Sequence, residues 1–356
     1  MTLLMSSSFN LAGGGDPCDR AAIAGTPLDN PDGAHTPSAG LYRVELAGCN
    51  TTIMIISASY RTDIPAFYAP WFENRFKAGF AKVENPYGGP PSTVKLRAGI
   101  DGFVFWTRNA RPFLSVLRLV RGASIPFVVS QTVTGYGRAL EISVIDPARA
   151  IAHMRALAAE FGPRAIVWRY DPIVFSSLTP AEFHLDNFST LAAALAGAVD
   201  ECVISFATLY KKTARNLDAA ARAEGFTWDD PDWPEKRALA ARLAQVAAAH
   251  GMRLTACSQE VGQPLATCID ARRLEDVAAG WGLARAIRVK VKGNRPHCQC
   301  HESRDIGAYD TCPHGCAYCY AVGSRTLAKR RFGQHDPAGE YLFPPILRDE
   351  TESLLV

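Results

Sequence analysis

The chain has 356 residues, of which 48% are hydrophobic, and its formal charge at pH 7 is only +3. It is long enough to bury one large α/β core or two ordinary ones, and its charge balance gives no global electrostatic case for nucleic-acid binding. No apolar run reaches the roughly eighteen residues of a membrane-spanning helix. Ten cysteines without a secretory signal favour a reducing cytoplasm, where cysteines serve in metal or redox sites.

Residues 1–52 are rich in Gly, Pro, Asp, Ser and Ala and show neither helical nor strand periodicity. This composition predicts a disordered N-terminal extension. Met54 stands at the front of the first convincing strand, so the extension is a candidate for sequence that is not translated. Cys18 and Cys49 would then have no role.

From residue 53 onward, short apolar runs alternate with longer helical patterns. The runs cover residues 53–57, 79–83, 103–106, 127–130, 165–168, 202–206 and 253–256. Helical patterns cover residues 110–121, 146–161, 180–199, 211–223 and 233–250, and Asp63 is placed to cap a further helix. This alternation predicts a parallel sheet, and about seven units favour a TIM-like (β/α) barrel or partial barrel over residues 53–290.

Polar and aromatic residues follow these runs, at the end of the strands where a barrel carries its chemistry. The stretches are residues 59–63, 84–87, 106–109, 130–132, 169–171, 205–208 and 257–260. At any one position a helix cap or a loop hydrogen bond is the commoner role, but together the stretches predict a polar mouth. Arg61, Arg108, Arg169 and Asp171 are the strongest candidates, because a charge so near a buried strand must be paired or must meet a ligand.

Residues 291–356 form a predicted cysteine-rich segment and tail. Within it, Cys312, Cys316 and Cys319 have the spacing Cys-x3-Cys-x2-Cys. Three closely spaced thiolates suit a [4Fe–4S] cluster in which the fourth iron has no protein ligand. The sequence therefore predicts an iron-sulfur segment that follows the barrel.

A second set of cysteines consists of Cys257, Cys268, Cys298 and Cys300. Four thiolates can close a site completely, either as a structural zinc or as a second iron-sulfur cluster. Taken alone, Cys257 is equally well explained as a small buried hydrophobe. Three histidines are alternative ligands, although loop histidines more often face solvent: His297, His301 and His314.

The cysteine motif resembles that of the radical S-adenosylmethionine (SAM) enzymes, and Tyr318 matches the aromatic residue that usually packs against the adenine. From Met54 to about Arg325 the chain resembles a widespread, uncharacterised bacterial family with a C-terminal cysteine cluster of this kind. The stretches that carry this resemblance are residues 55–67, 104–109, 169–173 and 305–310. A shorter likeness, in residues 106–109, 130–132 and 169–173, is to spore photoproduct lyase and its relatives, which act on DNA lesions.

The resemblance implies a TIM-like barrel that binds a [4Fe–4S] cluster and SAM and releases a 5′-deoxyadenosyl radical. Radical SAM enzymes normally carry the motif early, so here a loop from the C-terminal end would reach the barrel mouth. We expect the substrate, of a nucleotide or nucleic-acid class, to meet Arg61, Trp106, Arg108, Tyr136 and Asp171. We expect SAM to meet Tyr318, Ser130, Arg169, Ser205 and Glu260. An external electron donor of the flavodoxin or ferredoxin type is also implied.

Two alternative functions stay open at this point. In one, the tail holds a structural zinc or a redox iron-sulfur cluster beside a barrel that has no SAM chemistry. In the other, the protein handles nucleic acid through a basic surface, although such surfaces are more often simply solvated. The basic residues concerned are Lys329, Arg330 and Arg331 and, upstream, Arg285, Arg288, Lys290, Lys292 and Arg295.

Overall fold

The computed structural model describes residues 54–86 and 88–344. The strands are β1 Ile55–Ala58, β2 Phe80–Val83, β3 Ser92–Lys95, β4 Gly102–Thr107, β5 Phe127–Thr132, β6 Ile166–Ile173, β7 Phe175–Ser176, β8 Glu201–Phe206, β9 Trp228–Asp229, β10 Arg253–Ala256 and β11 Ser303–Asp305. The helices are α1 Ile64–Phe67, α2 Ala69–Ala78, α3 Leu114–Gly122, α4 Pro147–Phe161, α5 Ala181–Leu195, α6 Lys211–Glu224, α7 Trp233–Ala249, α8 Ala271–Gly280 and α9 Arg325–Gly333. The predicted extension, residues 1–52, lies outside the described residues.

A seven-stranded parallel sheet is the centre of this α/β fold. Its strand order is β10-β8-β6-β5-β4-β1-β11. Strands β4, β5, β6, β8 and β10 follow one another in chain order on one side of β1, while β11, the last strand in the chain, pairs with the opposite side of β1. Strands β7 and β9 form a separate antiparallel pair. The edges of the sheet are therefore β10 and β11, and the alternating pattern of the sequence correctly predicted its parallel character.

Two strand predictions need correction. The run at residues 79–83 was predicted as a strand of the parallel sheet. It forms β2, which instead pairs antiparallel with β3 in a separate two-stranded sheet. Its polar continuation at residues 84–86 therefore follows a strand outside the main sheet, and Tyr87 lies outside the described residues. The seventh strand of the main sheet is β11, which the sequence did not reveal because Ser-Arg-Asp has no apolar residue.

The helix predictions are confirmed, with boundaries that shift by a few residues. Asp146 caps α4, because its carboxylate accepts a hydrogen bond from the N–H of Ala148 at 2.9 Å. Asp63 caps α1 in the same way through the N–H of Ala66, also at 2.9 Å. Across the described residues, no helix is long and apolar enough to cross a bilayer.

One face of the sheet packs against helices through aromatic side chains. Phe103 and Phe105 of β4 meet Phe72 of α2 with ring centroids 5.5 and 5.4 Å apart, in edge-to-face arrangements. Phe105 also packs on Phe113, the last residue of the turn that leads into α3. All four side chains are fully buried, and each contributes about 2 to 3 kcal/mol through its buried apolar area.

The opposite face of the sheet is polar toward the carboxyl ends of its strands. Residues paired in register across parallel strands point to the same side, and residues two apart along a strand share a face. Trp106 is paired with Ser130, Thr132 with Arg169, and Ser57 with Asp305. The shared face therefore carries the side chains of Ser57, Trp106, Ser130, Arg169, Ser205 and Asp305.

Candidate functional site

The three motif cysteines lie on the cysteine loop, residues 310–323. The loop is closed by the N–H of Asp310, which donates to Ala321 O at 3.0 Å. It is held against the segment that follows β5, where the N–H of Ala317 donates to Leu140 O and the N–H of Ser143 donates to His314 O, both at 2.9 Å. These backbone bonds fix the position of the loop relative to the sheet.

A buried polar network anchors the loop beside the end of β4. Arg108 Nη1 lies 2.7 Å from Glu141 Oε1. The hydroxyl of Tyr318 donates to the same Glu141 oxygen and accepts a hydrogen bond from Arg108 Nη2. Thr134, just past β5, also donates to Glu141. Two predicted site residues, Arg108 and Tyr318, are thus brought into direct contact, and burial raises the pKa of Tyr318 well above its ordinary value.

Asp63 joins the end of β1 to the same loop. While one carboxylate oxygen caps α1, the other accepts the backbone N–H of Arg108 at 2.8 Å and lies 2.8 Å from Nε2 of His314. The His314 ring packs edge-on against Phe67 at 4.6 Å. The Asp63 carboxylate thus contacts Ala66 of α1, Arg108 after β4 and His314 of the cysteine loop. These contacts fix the loop to the carboxyl ends of β1 and β4.

The thiols of Cys312, Cys316 and Cys319 are half-buried neighbours. Burial raises the pKa of Cys316 to about 12, an effect that the nearby Arg108 guanidinium opposes. Burial also raises the pKa of Cys312, and the other two thiols raise it further. Among the described residues, no three His, Cys, Asp or Glu side chains converge on one point as the ligands of a bound metal do. To bind a metal, these three thiols would have to lose their protons, and their side chains would have to rotate toward one point.

The polar face next to the loop brings together several predicted residues. The Arg169 guanidinium lies over the Trp106 ring, with Cζ 4.9 Å from the ring centroid. Arg169 Nε donates to Asp171 at 3.0 Å, and Ser205 donates to the other Asp171 oxygen. Trp106 in turn donates to Ser57 Oγ at 3.0 Å. The ends of β4, β6 and β8 thus form one continuous polar wall.

Asp305 at the end of β11 ties this strand to β1. Its oxygens accept hydrogen bonds from the hydroxyls of Ser57 and Ser59, both at 2.8 Å, and from the N–H groups of Tyr60 and Gly307 at 3.0 and 2.9 Å. Arg61, a predicted site residue, lies beside it with Nε 3.7 Å from the carboxylate. Burial raises the pKa of Asp305, and Arg61 opposes that shift.

Ser130 is a polar residue on this face whose hydroxyl lacks a hydrogen-bond partner among residues 54–86 and 88–344. Its side chain is 1% exposed, and its Oγ has no partner among the described residues. An unpaired buried hydroxyl costs about 1 to 3 kcal/mol. Such a group in the middle of a polar wall is available to contact a ligand, and the role of Ser130 in cofactor binding stays a prediction.

Two predicted site residues lie apart from this wall. Glu260 is 71% exposed and pairs with Nδ1 of His297 at 3.1 Å. The Tyr136 hydroxyl is used internally, since it donates to Pro172 O at 3.0 Å and accepts the N–H of Val174 at 3.1 Å. Tyr136 also lines a cavity of about 130 Å³, together with Arg108 and Glu141.

The second set of cysteines is assembled between β10 and β11. Cys268 Sγ lies 3.6 Å from Cys257 Sγ. Cys300 interacts with both Cys268 and Cys298. A hydrogen bond from the Cys300 thiol lowers the pKa of Cys298 to about 5. Each cysteine of the predicted set therefore interacts with at least one other member, and Cys257 and Cys268 are in direct contact.

The predicted basic surface is largely engaged in contacts within the chain. Lys290 and Lys292 pair with Glu302 at 3.6 and 2.7 Å. Arg331 Nη1 donates to Tyr309 O at 3.0 Å, and Arg295 Nη2 lies 3.1 Å from Cys257 Sγ. Arg285 Nη2 donates to Ser124 O at 2.7 Å. The remaining members lie at the surface: Arg288, Lys329 and Arg330.

The sequence did not identify several residues that build the site. Glu141 lies in a loop without periodicity, and His314 was considered only as a substitute ligand. Asp305 belongs to a strand that has no apolar signature. The sequence pointed to Asp305 only through its position at the start of residues 305–310, the stretch that leads into the cysteine motif.

The comparison with protein families covers the region just described. Residues 55–321, from β1 to the cysteine loop, match the family model described as a domain of unknown function (DUF1848). No curated protein matches the chain. The likeness to radical SAM enzymes and to spore photoproduct lyase rests on the sequence motifs alone and stays a prediction. Since the match spans well over half of its residues, the chain belongs to the DUF1848 family.

Proposed function

We propose that the protein is a radical SAM enzyme built on a partial (β/α) barrel. In this proposal Cys312, Cys316 and Cys319 hold a [4Fe–4S] cluster at the barrel mouth. The observation that carries the proposal is the position of the cysteine loop. Its anchors lie in the segments that follow β1, β4 and β5: Asp63, Arg108, Thr134 and Glu141. The carboxyl ends of parallel strands are where barrel enzymes place their chemistry.

The order of the strands supports a partial barrel. A doubly wound sheet reverses direction at a switch point, whereas the order from β1 to β10 never reverses. With right-handed crossovers, such an order places all connecting helices on one face. β11 follows β10 in the chain and pairs with β1, as the last strand of a barrel does. The gap in the wall of this partial barrel would then lie between β10 and β11.

The donor set fits an iron-sulfur cluster with one open iron. It consists of three thiols in the spacing that such clusters use, and positive charges lie beside it. Burial raises the pKa of Cys319, while Arg108 and Lys212 lower it, and these charges would favour an anionic cluster. When bound, a reduced cluster with an open iron supplies the electron that cleaves SAM to methionine and a 5′-deoxyadenosyl radical.

In this proposal the residues of the chain bind and orient SAM and shield the radical from water. The Ser130 hydroxyl, which has no hydrogen-bond partner in the part of the chain that the structure describes, would bind a polar group of SAM. Arg169 is held in place by Asp171 and by the Trp106 ring, so its guanidinium is oriented before any ligand arrives. The buried wall excludes water from the reactive radical. Glu260, which is exposed and paired with His297, is no longer assigned to SAM.

The proposed reductant is an external flavodoxin or ferredoxin. The substrate is proposed to lie over the mouth near Arg61, and a nucleotide is the class that the shorter sequence likeness favours. A nucleic-acid surface receives less support, because five of the eight basic residues that were considered for it contact other parts of the chain. Loss of binding to single-stranded DNA in Lys329→Ala/Arg330→Ala would favour it, and unchanged retention on a phosphate matrix would count against it.

The test is anaerobic purification followed by iron and sulfide analysis and incubation with dithionite and SAM. We expect about four irons per chain at the motif and formation of 5′-deoxyadenosine. The variant Cys312→Ala/Cys316→Ala/Cys319→Ala should lose both. Cys202→Ala, which removes a buried thiol of β8 outside both cysteine sets, should retain both. Zinc without iron uptake, or iron without 5′-deoxyadenosine, would refute the proposal and favour a tail with a structural or redox role.

A further inference from the structure

The chain between the two edge strands of the sheet contains all four cysteines of the second set. β10 ends at Ala256 and β11 begins at Ser303. This connection folds back on itself, because the N–H of His301 donates to Ile269 O at 2.9 Å and the N–H of Lys292 donates to Cys300 O at 2.9 Å. The four cysteines therefore belong to one folded connection that joins the two edge strands.

We propose that Cys257, Cys268, Cys298 and Cys300 bind one zinc ion. The separation of the sulfurs carries the proposal. A tetrahedral zinc with Zn–S bonds of about 2.3 Å places its thiolates about 3.8 Å apart, close to the 3.6 Å between Cys257 Sγ and Cys268 Sγ. A cubane binds each thiolate to a different iron and so holds the sulfurs farther apart.

Binding requires only local change. The sulfurs are joined in pairs and do not yet surround one point. When zinc binds, each thiol that becomes a thiolate releases its proton, and the side chains rotate toward the metal. Four thiolates and one Zn²⁺ carry a net charge of about −2. No electron is transferred, because zinc has no redox chemistry.

Two arginines are in position to compensate this charge. Arg169 Nη1 lies 3.1 Å from Cys268 Sγ, and Arg295 Nη2 lies 3.1 Å from Cys257 Sγ. The N–H of Ile269 also points at Cys300 Sγ, with N 3.4 Å from the sulfur. Hydrogen bonds of this kind orient metal ligands and tune their charge. Arg169 also pairs with Asp171, so it offers the sulfur a hydrogen bond in addition to its ion pair.

The backbone near the cysteines packs closely, with Gly293 directly against Cys298. A Cβ atom on Gly293 would lie 2.3 Å from the carbonyl oxygen of Cys298 and 2.5 Å from its Cβ. Ser258 and His297, which stand next to Cys257 and Cys298, have φ angles of 56° and 59°. Such left-handed residues are uncommon outside glycine. The zinc would thus fix the connection between the two edge strands in a tightly turned conformation.

This inference does not depend on the proposed function, and metal analysis separates the two. We expect about one zinc per chain in protein purified without chelator, and X-ray absorption at the zinc edge should show four sulfurs at about 2.3 Å. The variant Cys312→Ala/Cys316→Ala/Cys319→Ala should keep the zinc. Cys298→Ser/Cys300→Ser should lose it, and Cys202→Ser should keep it.

Three results would overturn the inference. The first is wild-type protein without zinc. The second is iron at the second set, detected as iron and sulfide that persist in the Cys312→Ala/Cys316→Ala/Cys319→Ala variant. The third is a zinc spectrum dominated by nitrogen or oxygen ligands. Since the spectrum is recorded on wild-type protein, the test holds even if Cys298→Ser/Cys300→Ser fails to fold.

Discussion

Arg108 and Glu141 form an ion pair beneath the cysteine loop, with Nη1 2.7 Å from Oε1 and both side chains largely buried. We expect Glu141→Ala to lower the free energy of unfolding by about 3 to 5 kcal/mol, because it leaves a buried guanidinium without its counter-charge. Tyr318 would also lose its acceptor, so iron loading of the loop should fall. Urea denaturation and iron analysis measure the two effects.

A matched control is the Arg118–Glu160 pair, whose N–O distance is also 2.7 Å but which lies on the surface. Exposed pairs of this kind contribute little, so Glu160→Ala should leave the urea midpoint nearly unchanged. If the two glutamate variants were equally stable, the buried network would not anchor the loop.

Ser130 and Ser57 share a face of the sheet but differ in their hydrogen bonds. Ser57 donates to Asp305 at 2.8 Å and accepts from Trp106 at 3.0 Å, whereas Ser130 Oγ has no partner among the described residues. Ser130→Ala should therefore keep or raise the unfolding free energy, and Ser57→Ala should lower it by about 1 to 3 kcal/mol.

The same pair tests the proposed cofactor contact. Ser130→Ala should weaken SAM binding to the reconstituted protein several-fold, as expected for the loss of one hydrogen bond of about 1 kcal/mol. Calorimetric titration under anaerobic conditions measures this affinity. A Ser130→Ala variant that is destabilised as much as Ser57→Ala, with unchanged SAM affinity, would remove Ser130 from the site.

Gly307 follows β11 at a point of close approach to β1. A Cβ atom there would lie 2.0 Å from Ser59 Oγ, the hydroxyl that donates to Asp305. Gly307→Ala should thus cost about 1 to 3 kcal/mol through overpacking. Gly122→Ala is the control: no atom lies within 4 Å of its added methyl group, and alanine favours the helix by up to about 1 kcal/mol. Thermal unfolding of both variants distinguishes a tight contact from a general intolerance of substitution.

His184 makes stability depend on pH. Its ring is fully buried between Tyr170 OH, 2.9 Å from Nδ1, and Val174 O, 3.1 Å from Nε2. Burial lowers its pKa from 6.5 to about 4. The folded state thus favours the neutral ring, so the contribution of His184 to the free energy of unfolding is fully present above pH 6.5. It is lost as pH falls toward 4, by an amount on the order of 3 kcal/mol.

The comparison with His184→Gln isolates this contribution from the carboxylates that titrate in the same range. The difference in unfolding free energy between the wild type and the variant, measured by urea denaturation between pH 7.5 and 5, should shrink as pH falls. A difference that stays constant with pH would show that His184 does not titrate as a buried group.

The sequence predicted the main sheet wherever an apolar run was long enough to be buried on both sides, as in β5 and β8. It failed at β2, whose half-buried residues look like a short core strand although they pair in a separate hairpin. It also failed at β11, because that strand is recognisable only through its partner. Ser57 and Asp305 are 248 positions apart, and nothing local to either residue reveals the pair.

The candidate site was predictable where residues directly follow sheet strands. Trp106, Arg169, Asp171 and Ser205 were expected at one mouth, and the structure brings them into contact. Glu260 was expected there for the same reason, but the stretch after β10 turns outward and exposes it. Whether a strand end faces the mouth or the solvent depends on the path of the following loop, which has no periodic signal.

The pairing of β1 with β11 has a consequence for synthesis of the protein. β1 is among the first elements of the sheet to leave the ribosome, yet one of its edges stays unpaired until residue 305 has been made, and contacts between such distant residues form slowly. An unpaired strand edge invites association with other chains. We therefore expect chains stalled before β11 to aggregate and chains released after the cysteine loop to remain dispersed, which sedimentation of the two nascent products would reveal. Loading of any metal into the loop would then be a late event that follows completion of the sheet.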